Sequence, residues 1–526
     1  MLEEVSRAYN AVTDFIDANL ARGRGNKVAF TDPERSLTYA ALQSRTSRFA
    51  RALRALGLRQ ENRLALVLYD TVDFPVAFWG AVRAGIVAVP VNTLLTPQQY
   101  AYVLSDSRAS AVVVSAALAK TIVAVRTSLP NLSAVIVAGA SAGERAALGD
   151  VHDFEEVLAP QPAEPFTAAT ISDEVAFWLY SSGSTGDPKG VKHVHTSLMA
   201  TAKLMGQGVL GVTEDDVVFS AAKLFFAYGL GNAMSFPLSV GGSAVLLPLR
   251  PTAKSVLDVM RRHRPTIFFA VPSLYASLLA AKELGSSGFD RLRLCVSAGE
   301  ALPAELGQRW RERVGVDILD GLGSTEMLQT FLSNRPGDVR YGSTGKPVAG
   351  YEAKIVDENG VALPAGEIGE LVVRGPSAGE GYWNQRAKSR RTFAGEWTYT
   401  GDKFMCDEEG YYRYCGRTDD MFKVSGMWVS PFEIEAALLS HEAILEAAVI
   451  GKEDADGIIK PKAFLVLKNG YSPDERFFAT IKSHVKERAG AWKFPRWIDI
   501  RRDLPRTATG KIQRFKLREE EAEGAR

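Results

Sequence analysis

The stretch Phe177-Trp-Leu-Tyr-Ser-Ser-Gly-Ser-Thr-Gly-Asp-Pro-Lys-Gly190 decides how the rest of this chain is read. Its first four residues are apolar or aromatic and read as a strand, and Val191 opens a new element. Between them Gly183, Gly186 and Gly190 let backbone approach an anion, Ser181, Ser182, Ser184 and Thr185 offer hydroxyl donors, and Lys189 adds positive charge. This is phosphate-binding chemistry. No GxxxxGK[ST] pattern fits, which disfavours an ordinary phosphotransferase loop. A flexible Ser/Gly linker has the same composition, but the flanking elements place the run inside a core.

Working outward, Ser47-Arg-Phe-Ala-Arg-Ala-Leu-Arg-Ala-Leu56 repeats apolar residues at helical spacing, and Arg63-Leu-Ala-Leu-Val-Leu68 reads as a buried strand. Beyond the loop, Thr266-Ile-Phe-Phe-Ala-Val271 and Leu292-Arg-Leu-Cys-Val-Ser297 read as strands around a helical pattern. Such alternation predicts α/β layers with parallel strands. From about Gly345 the texture changes to short β-rich runs and glycine turns, as in Ile368-Gly-Glu-Leu-Val-Val-Arg-Gly375 and Gly410-Tyr-Tyr-Arg-Tyr-Cys415, which predicts a β subdomain. After residue 418 the pattern is α+β again, with Glu433-Ile-Glu-Ala-Ala-Leu-Leu439 helical and Pro461-Lys-Ala-Phe-Leu-Val-Leu467 strand-like. The expectation is a large domain over residues 1–418, made of two α/β subdomains and a β subdomain, and a small α+β domain over 419–526. The acidic tail from Glu519 is expected to fray.

A chain of 526 residues exceeds one core, since single cores stop growing at roughly 250–300 residues. With 62 basic against 61 acidic residues there is no global field to hold nucleic acid or an anionic membrane. Charge interrupts every apolar tract before about 18 residues, the N-terminus carries no apolar signal core, and Cys295, Cys406 and Cys415 form no CxxC pair. A cytoplasmic, membrane-free protein with structural thiols is expected.

Four further motifs follow the loop. Gly321-Leu-Gly-Ser-Thr-Glu326 resembles a YGxTE element, Thr398-Tyr-Thr-Gly-Asp402 a YxTGD element, Gly416-Arg-Thr-Asp-Asp-Met-Phe-Lys-Val-Ser-Gly426 a hinge region, and Pro505-Arg-Thr-Ala-Thr-Gly-Lys511 a C-terminal lysine motif. With the loop, these five in this order resemble the adenylate-forming enzymes: acyl- and aryl-CoA ligases, peptide-synthetase adenylation domains and luciferases. The resemblance implies ATP and CoA as substrates with Mg²⁺. It implies that Thr325 bonds the α-phosphate and that Glu326 holds Mg²⁺, which favours one or two carboxylates plus phosphates. Asp402 takes the ribose hydroxyls, Arg417 adds a donor fork, and Gly299, Glu300, Ala301, Asp320, Gly321 and Leu322 surround adenine, Leu322 standing where relatives often place an aromatic ring. Lys511 neutralises charge as carboxylate attacks phosphate. Asp419 takes the hinge position, with Lys423, Ser425, Gly426 and Trp428 toward CoA; Trp428 alternatively packs between domains.

Lys223-Leu-Phe-Phe-Ala-Tyr-Gly229 departs from the family's PLFHxxG pattern at Lys223 and Phe226 and resembles benzoate-CoA ligases. Phe226, Ala227, Tyr228 and Gly229 suit a flat, compact ring, although either aromatic could instead fill core. Benzoate ligases usually carry histidine and isoleucine where this chain has Gln329 and Thr330. Those polar groups are read as hydrogen-bonding a ring substituent, which favours 2-aminobenzoate, with benzoate or hydroxybenzoates as alternatives. Loading of a separate carrier protein is a further alternative. His193 and His195 alternate as a metal pair would, but lack a third ligand at readable spacing and are read as structural.

Overall fold

The computed structural model describes residues 5–181, 187–284, 288–417, 420–424, 427–454, 458–468, 470–471, 473–490, 493–506 and 512–524. The run Ala-Val-Val-Val-Ser over Ala111–Ser115 is buried at every position. Strands buried on both faces belong in the interior of a parallel sheet, and this one pairs in parallel with Arg63–Val67 and Ala134–Ala138. The sheet has seven strands in the order His152–Asp153, Ala134–Ala138, Ala111–Ser115, Arg63–Val67, Val87–Pro90, Val175–Ser181 and Lys189–Val194. Only its last pair is antiparallel, with Ser181 opposite Lys189, so the phosphate-loop segment is the turn of an edge hairpin. The preceding helix Asp73–Arg83 is buried along all its length, as an all-round apolar helix between layers must be.

The second sheet has nine strands. Val217–Ser220, Ser243–Val245, Ile267–Ala270, Leu294–Ser297 and Ile318–Gly323 are mutually parallel, and Thr330–Ser333 returns antiparallel on Ile318–Gly323. The predicted strands at 266–271 and 292–297 therefore exist, trimmed at their ends. A third, antiparallel sheet gathers Glu352–Val356, Ile368–Arg374, Phe393–Ala394, Trp397–Cys406 and Tyr412–Arg417, the predicted β subdomain. One continuous apolar core, from Ala11 to Tyr412, runs through all three sheets.

Residues after 420 form a separate small unit. A three-stranded sheet of Ile444–Glu453, Ile459–Leu467 and Trp497–Ile500 carries the helices Pro431–Leu439, Glu475–Ala489 and Arg514–Gly524 and has its own core around Val449, Leu465 and Ile481. Ser430 caps the first of these helices and Pro431 begins it, a standard helix start. The fold is thus α/β, with a large N-terminal and a small C-terminal domain.

The tail corrects an expectation. From Glu519 it continues the helix Arg514–Gly524 over its described residues, and Glu521 accepts from Lys452 at 2.7 Å and from Lys462. Charge density marked this segment as loose; two lysines on neighbouring strands dock it. Among the described residues, no helix is long and apolar enough to cross a membrane.

Candidate active site

Val175–Ser181 and Ile318–Gly323 both end at the carboxyl edges of their sheets, where α/β folds collect ligands. Glu326 follows the second strand and Lys189 begins the return strand beside the first. The Lys189 ammonium lies 3.9 Å from Glu326 and donates at 3.2 Å to the Tyr382 hydroxyl, which donates at 2.8 Å to Glu326 Oε1. Lys189 also sits 4.3 Å from the centre of the Tyr382 ring. Burial pulls Lys189 below its ordinary range, Glu326 opposes that pull, and nearby Lys388 and Arg417 add to it. Burial, and then the Glu326 charge, push Tyr382 far up, so it stays a neutral donor.

Tyr382 arrives on a strap that sequence reading passed over. Gly379 N donates to Glu326 O at 2.8 Å, Glu380 N to Lys192 O at 2.9 Å, and Ser377 Oγ to Met327 O at 2.7 Å. The strap laces the hairpin to the Glu326 turn. Its sequence signal is Gly379-Glu-Gly-Tyr-Trp383, small residues that admit close backbone followed by large anchors. Trp383 packs at a tilt on Trp178, ring centres 4.7 Å apart, and donates to Asp106 O.

Thr325 sits in a turn whose carbonyl meets His193 Nε2 at 2.8 Å. A carbonyl only accepts, so that nitrogen carries the proton. His193 is fully buried, stacks on Phe177 at 5.2 Å, and burial depresses it to about 4. His195 accepts from Ala11 N at 3.3 Å and is likewise held at about 4 by burial. The two histidines bond to different stretches of chain, and no group of three candidate metal ligands occurs among the described residues. Leu328, just after this turn, has φ +65, a conformation strained for a branched side chain.

Asp320, inside the strand Ile318–Gly323, pairs in register with Ser297 at the end of the neighbouring strand and receives backbone bonds from Leu302 and Gly321. Its Oδ1 is buried without a partner, and burial raises its carboxyl well above the usual range. A buried acceptor of this kind is costly unless a donor arrives, which suits an exocyclic amine. Gly299, Glu300 and Ala301 form the adjoining loop, and Leu322 lies half-buried on the strand. Asp402 and Arg417 face each other across neighbouring strands, the guanidinium donating to Asp402 at 3.1 Å and to Thr400 O at 3.2 Å.

The residues expected to line the acid pocket also come together. Gln329 Nε2 reaches Tyr228 O at 3.2 Å, Ala227 O at 3.4 Å and Asn232 Oδ1 at 3.3 Å, while its Oε1 accepts from Thr330 N at 2.9 Å and Thr330 Oγ1 at 3.0 Å. Gln329 and Thr330 are therefore engaged with each other, and Gln329 also with the opposite wall. Tyr228 is turned the same way, donating to Val296 O at 3.2 Å, and Phe226 packs edge-on against Phe225 at 4.4 Å.

Several predicted positions lie outside the described residues: Ser182, Gly183, Ser184, Thr185, Gly186, Asp419, Ser425, Gly426 and Lys511. Ser181 ends its strand with Oγ buried and without a partner. Lys423 and Trp428 are register partners in the hairpin Phe422–Val424/Met427–Val429, their side chains outside what the structure describes. Either side of residue 511, Arg506 bridges Ile512 and Gln513 N donates to Pro505 O at 2.8 Å.

A lysine, a carboxylate and a tyrosine meeting where two α/β sheets present their carboxyl ends, with a buried aspartate on the second of those strands, fit a nucleotide-handling enzyme of layered α/β type. Residues 17–383 match the AMP-binding enzyme family and residues 433–511 its AMP-binding enzyme C-terminal domain. The chain is 54% identical over 98% of its length, and 94% of the relative's, to a 4-hydroxybenzoate–CoA/benzoate–CoA ligase of Rhodopseudomonas palustris. It is 52% identical to a benzoate–CoA ligase of Thauera aromatica over 98% of this chain and 97% of that one. The solved structure of the anthranilate CoA ligase AuaEII in complex with anthranoyl-AMP superposes with a TM-score of 0.94 at 44% identity, covering 99% of both chains. The chain belongs to the AMP-binding enzymes, the adenylate-forming superfamily, in the branch of AMP-forming aryl-CoA ligases.

Proposed function

We propose that this protein joins a benzoate-type acid to CoA at the expense of ATP. In the first step a carboxylate oxygen of the acid attacks the α-phosphorus, and the bond to pyrophosphate breaks. In the second the CoA thiolate attacks the acyl carbon, and AMP leaves with the electron pair of the broken C–O bond. The observation that carries this reading is the meeting of Lys189, Tyr382 and Glu326 three residues before the side chain that pins the pocket wall, since it sets phosphate chemistry beside a compact aromatic site.

Lys189 and Lys511 offset phosphate charge, Thr325 orients the α-phosphate, Asp402 and Arg417 hold ribose, and Asp320 accepts from adenine. Glu326 fits Mg²⁺: Oε1 is held by Tyr382, and Oε2 has no partner among the described residues. When bound, Mg²⁺ supplies charge neutralisation on the phosphates. Residues 419–526 are assigned as a domain that turns about Asp419, bringing first Lys511 and then Ser425, Gly426 and the segment of Lys423 and Trp428 to the reacting centre.

Gln329 is bonded to Thr330 and to the opposite wall, which weakens the argument for a ring amino group, and the relatives at 54% and 52% identity are benzoate and 4-hydroxybenzoate ligases. Benzoate and 4-hydroxybenzoate therefore stand ahead of 2-aminobenzoate. The test is incubation with ATP, Mg²⁺ and each acid, with and without CoA, following AMP and thioester by mass. Aryl-CoA from benzoate or 4-hydroxybenzoate is expected. A clear preference for 2-aminobenzoate would restore the substituent reading, adenylate without thioester would indicate carrier loading, and no adenylate from any aryl acid would refute the proposal.

A further inference from the structure

The chain enters the acid pocket through residues 221–226, between the strand Val217–Ser220 and the helix Ala227–Leu230. A half-buried ammonium and a buried carboxylate grip this entry. The Lys223 ammonium donates to the carbonyls of Leu247, of Pro248 at 3.3 Å and of Leu249 at 2.6 Å, all in the loop after the strand Ser243–Val245. Asp70, only 3% exposed, comes from the other sheet, just beyond the strand Arg63–Val67. Both its oxygens lie 3.3 Å from Leu224 N, and Oδ2 lies 3.8 Å from the Lys223 ammonium.

The grip passes directly to the pocket wall. Lys223 O accepts from Phe226 N at 3.0 Å, and a Cβ on Gly229 would stand 2.1 Å from that same oxygen, so backbone packs on backbone with no side chain between. A change at residue 223 therefore moves the 226–229 wall rather than being absorbed. Burying this carboxylate and ammonium costs desolvation that an apolar contact would avoid, and burial raises Asp70 to about 6. What the pair supplies is a fixed distance between two sheets at the mouth of the acid site.

We propose that Asp70 and Lys223 are positioning residues for acid selection: they set the separation between the 226–229 wall and the first sheet, and so the ring size the pocket admits. This rests on the aryl-acid reading above. The experiment compares wild type, Lys223→Met, Lys223→Arg and Asp70→Asn in KM for acid, ATP and CoA, and in the ratio of kcat/KM for benzoate to that for bulkier 4-substituted benzoates. Lys223→Met is expected to raise the acid KM about 10-fold and lower the ratio, with the ATP and CoA KM within about twofold. Lys223→Arg, which keeps the charge, restores part of the loss. Asp70→Asn keeps the acceptor for Leu224 N, removes the charge facing Lys223, and shifts both readouts the same way by less; it decides the matter if Lys223→Met does not fold. A uniform change across all three substrates, or an unchanged acid KM and ratio in the folded variants, overturns the proposal. Activation of a non-aryl acid by wild type overturns the aryl reading alone, because the same KM split is then measured on that acid.

Discussion

Two residues of chain separate Glu326, at the corner proposed to meet phosphate, from Gln329, in the wall of the proposed acid pocket, and the two use polar side chains in opposite ways. At the corner, groups from three distant stretches converge but keep capacity in hand: Glu326 Oε2 has no partner among the described residues, and Lys189 has one hydrogen bond there. In the wall, both ends of the Gln329 carboxamide are used. A site that must meet charge arriving with a ligand holds charge open, whereas a site that must hold a shape closes its hydrogen bonds on itself. Polar residue types read from sequence do not tell these roles apart; partner accounting does.

Substitutions of Glu326 at the corner, or of Lys511, which is proposed to be brought to it, should act on chemistry. Lys511→Ala is expected to have the largest effect, slowing acid-dependent ATP–pyrophosphate exchange by about 10²–10³, while thioester formation from preformed aryl-AMP changes little. Glu326→Gln preserves shape and an acceptor for Tyr382 but removes the charge, and should lower the same exchange by about 10² with the acid KM little changed. If Glu326→Gln instead raised only the acid KM, the corner would be a wall like the other and the contrast would fail.

Substitution at the wall should act on binding. Gln329→Ala leaves buried groups on Asn232 and Thr330 short of partners, at about 1–3 kcal/mol, and releases the helix Ala227–Leu230. An acid KM raised about 10-fold with near-normal kcat is expected. A collapse of kcat equal to that of Glu326→Gln would mean that Gln329 touches the reacting atoms.

The same distinction explains what was legible in the sequence. The strands at 63–67, 267–270 and 294–297 announce themselves by apolar runs, and Lys189 and Glu326, read from the sequence by type and order, stand 3.9 Å apart in the structure. Tyr382 was not legible, since an aromatic after two glycines reads as packing until its hydroxyl is seen between a lysine and a glutamate. Gln329 was legible as unusual but not as satisfied, because its partners lie about a hundred residues earlier in the chain. The docked tail failed for the same reason: Lys452 and Lys462 neutralise Glu521 only once the sheet has formed.

The smallest expected effect concerns His193, the buttress beneath the corner. Its imidazole is depressed to about 4 by burial, against roughly 6.5 unfolded. As pH falls below 6.5 the unfolded chain binds this proton first, so stability is lost between about 6.5 and 4 and levels off below. His195 acts in the same direction. Asp70, raised to about 6, acts oppositely, because there the folded form takes its proton first and gains stability as pH falls from 6 toward 3.8. The net curve is a difference, so wild type alone does not isolate the histidine. Comparing urea midpoints of wild type and His193→Gln at pH 7 and pH 5 does, with wild type expected to lose more on acidification, by on the order of 1–2 kcal/mol. Equal losses would mean that the folded imidazole of His193 is not held below its ordinary range and that it contributes nothing to the acid loss.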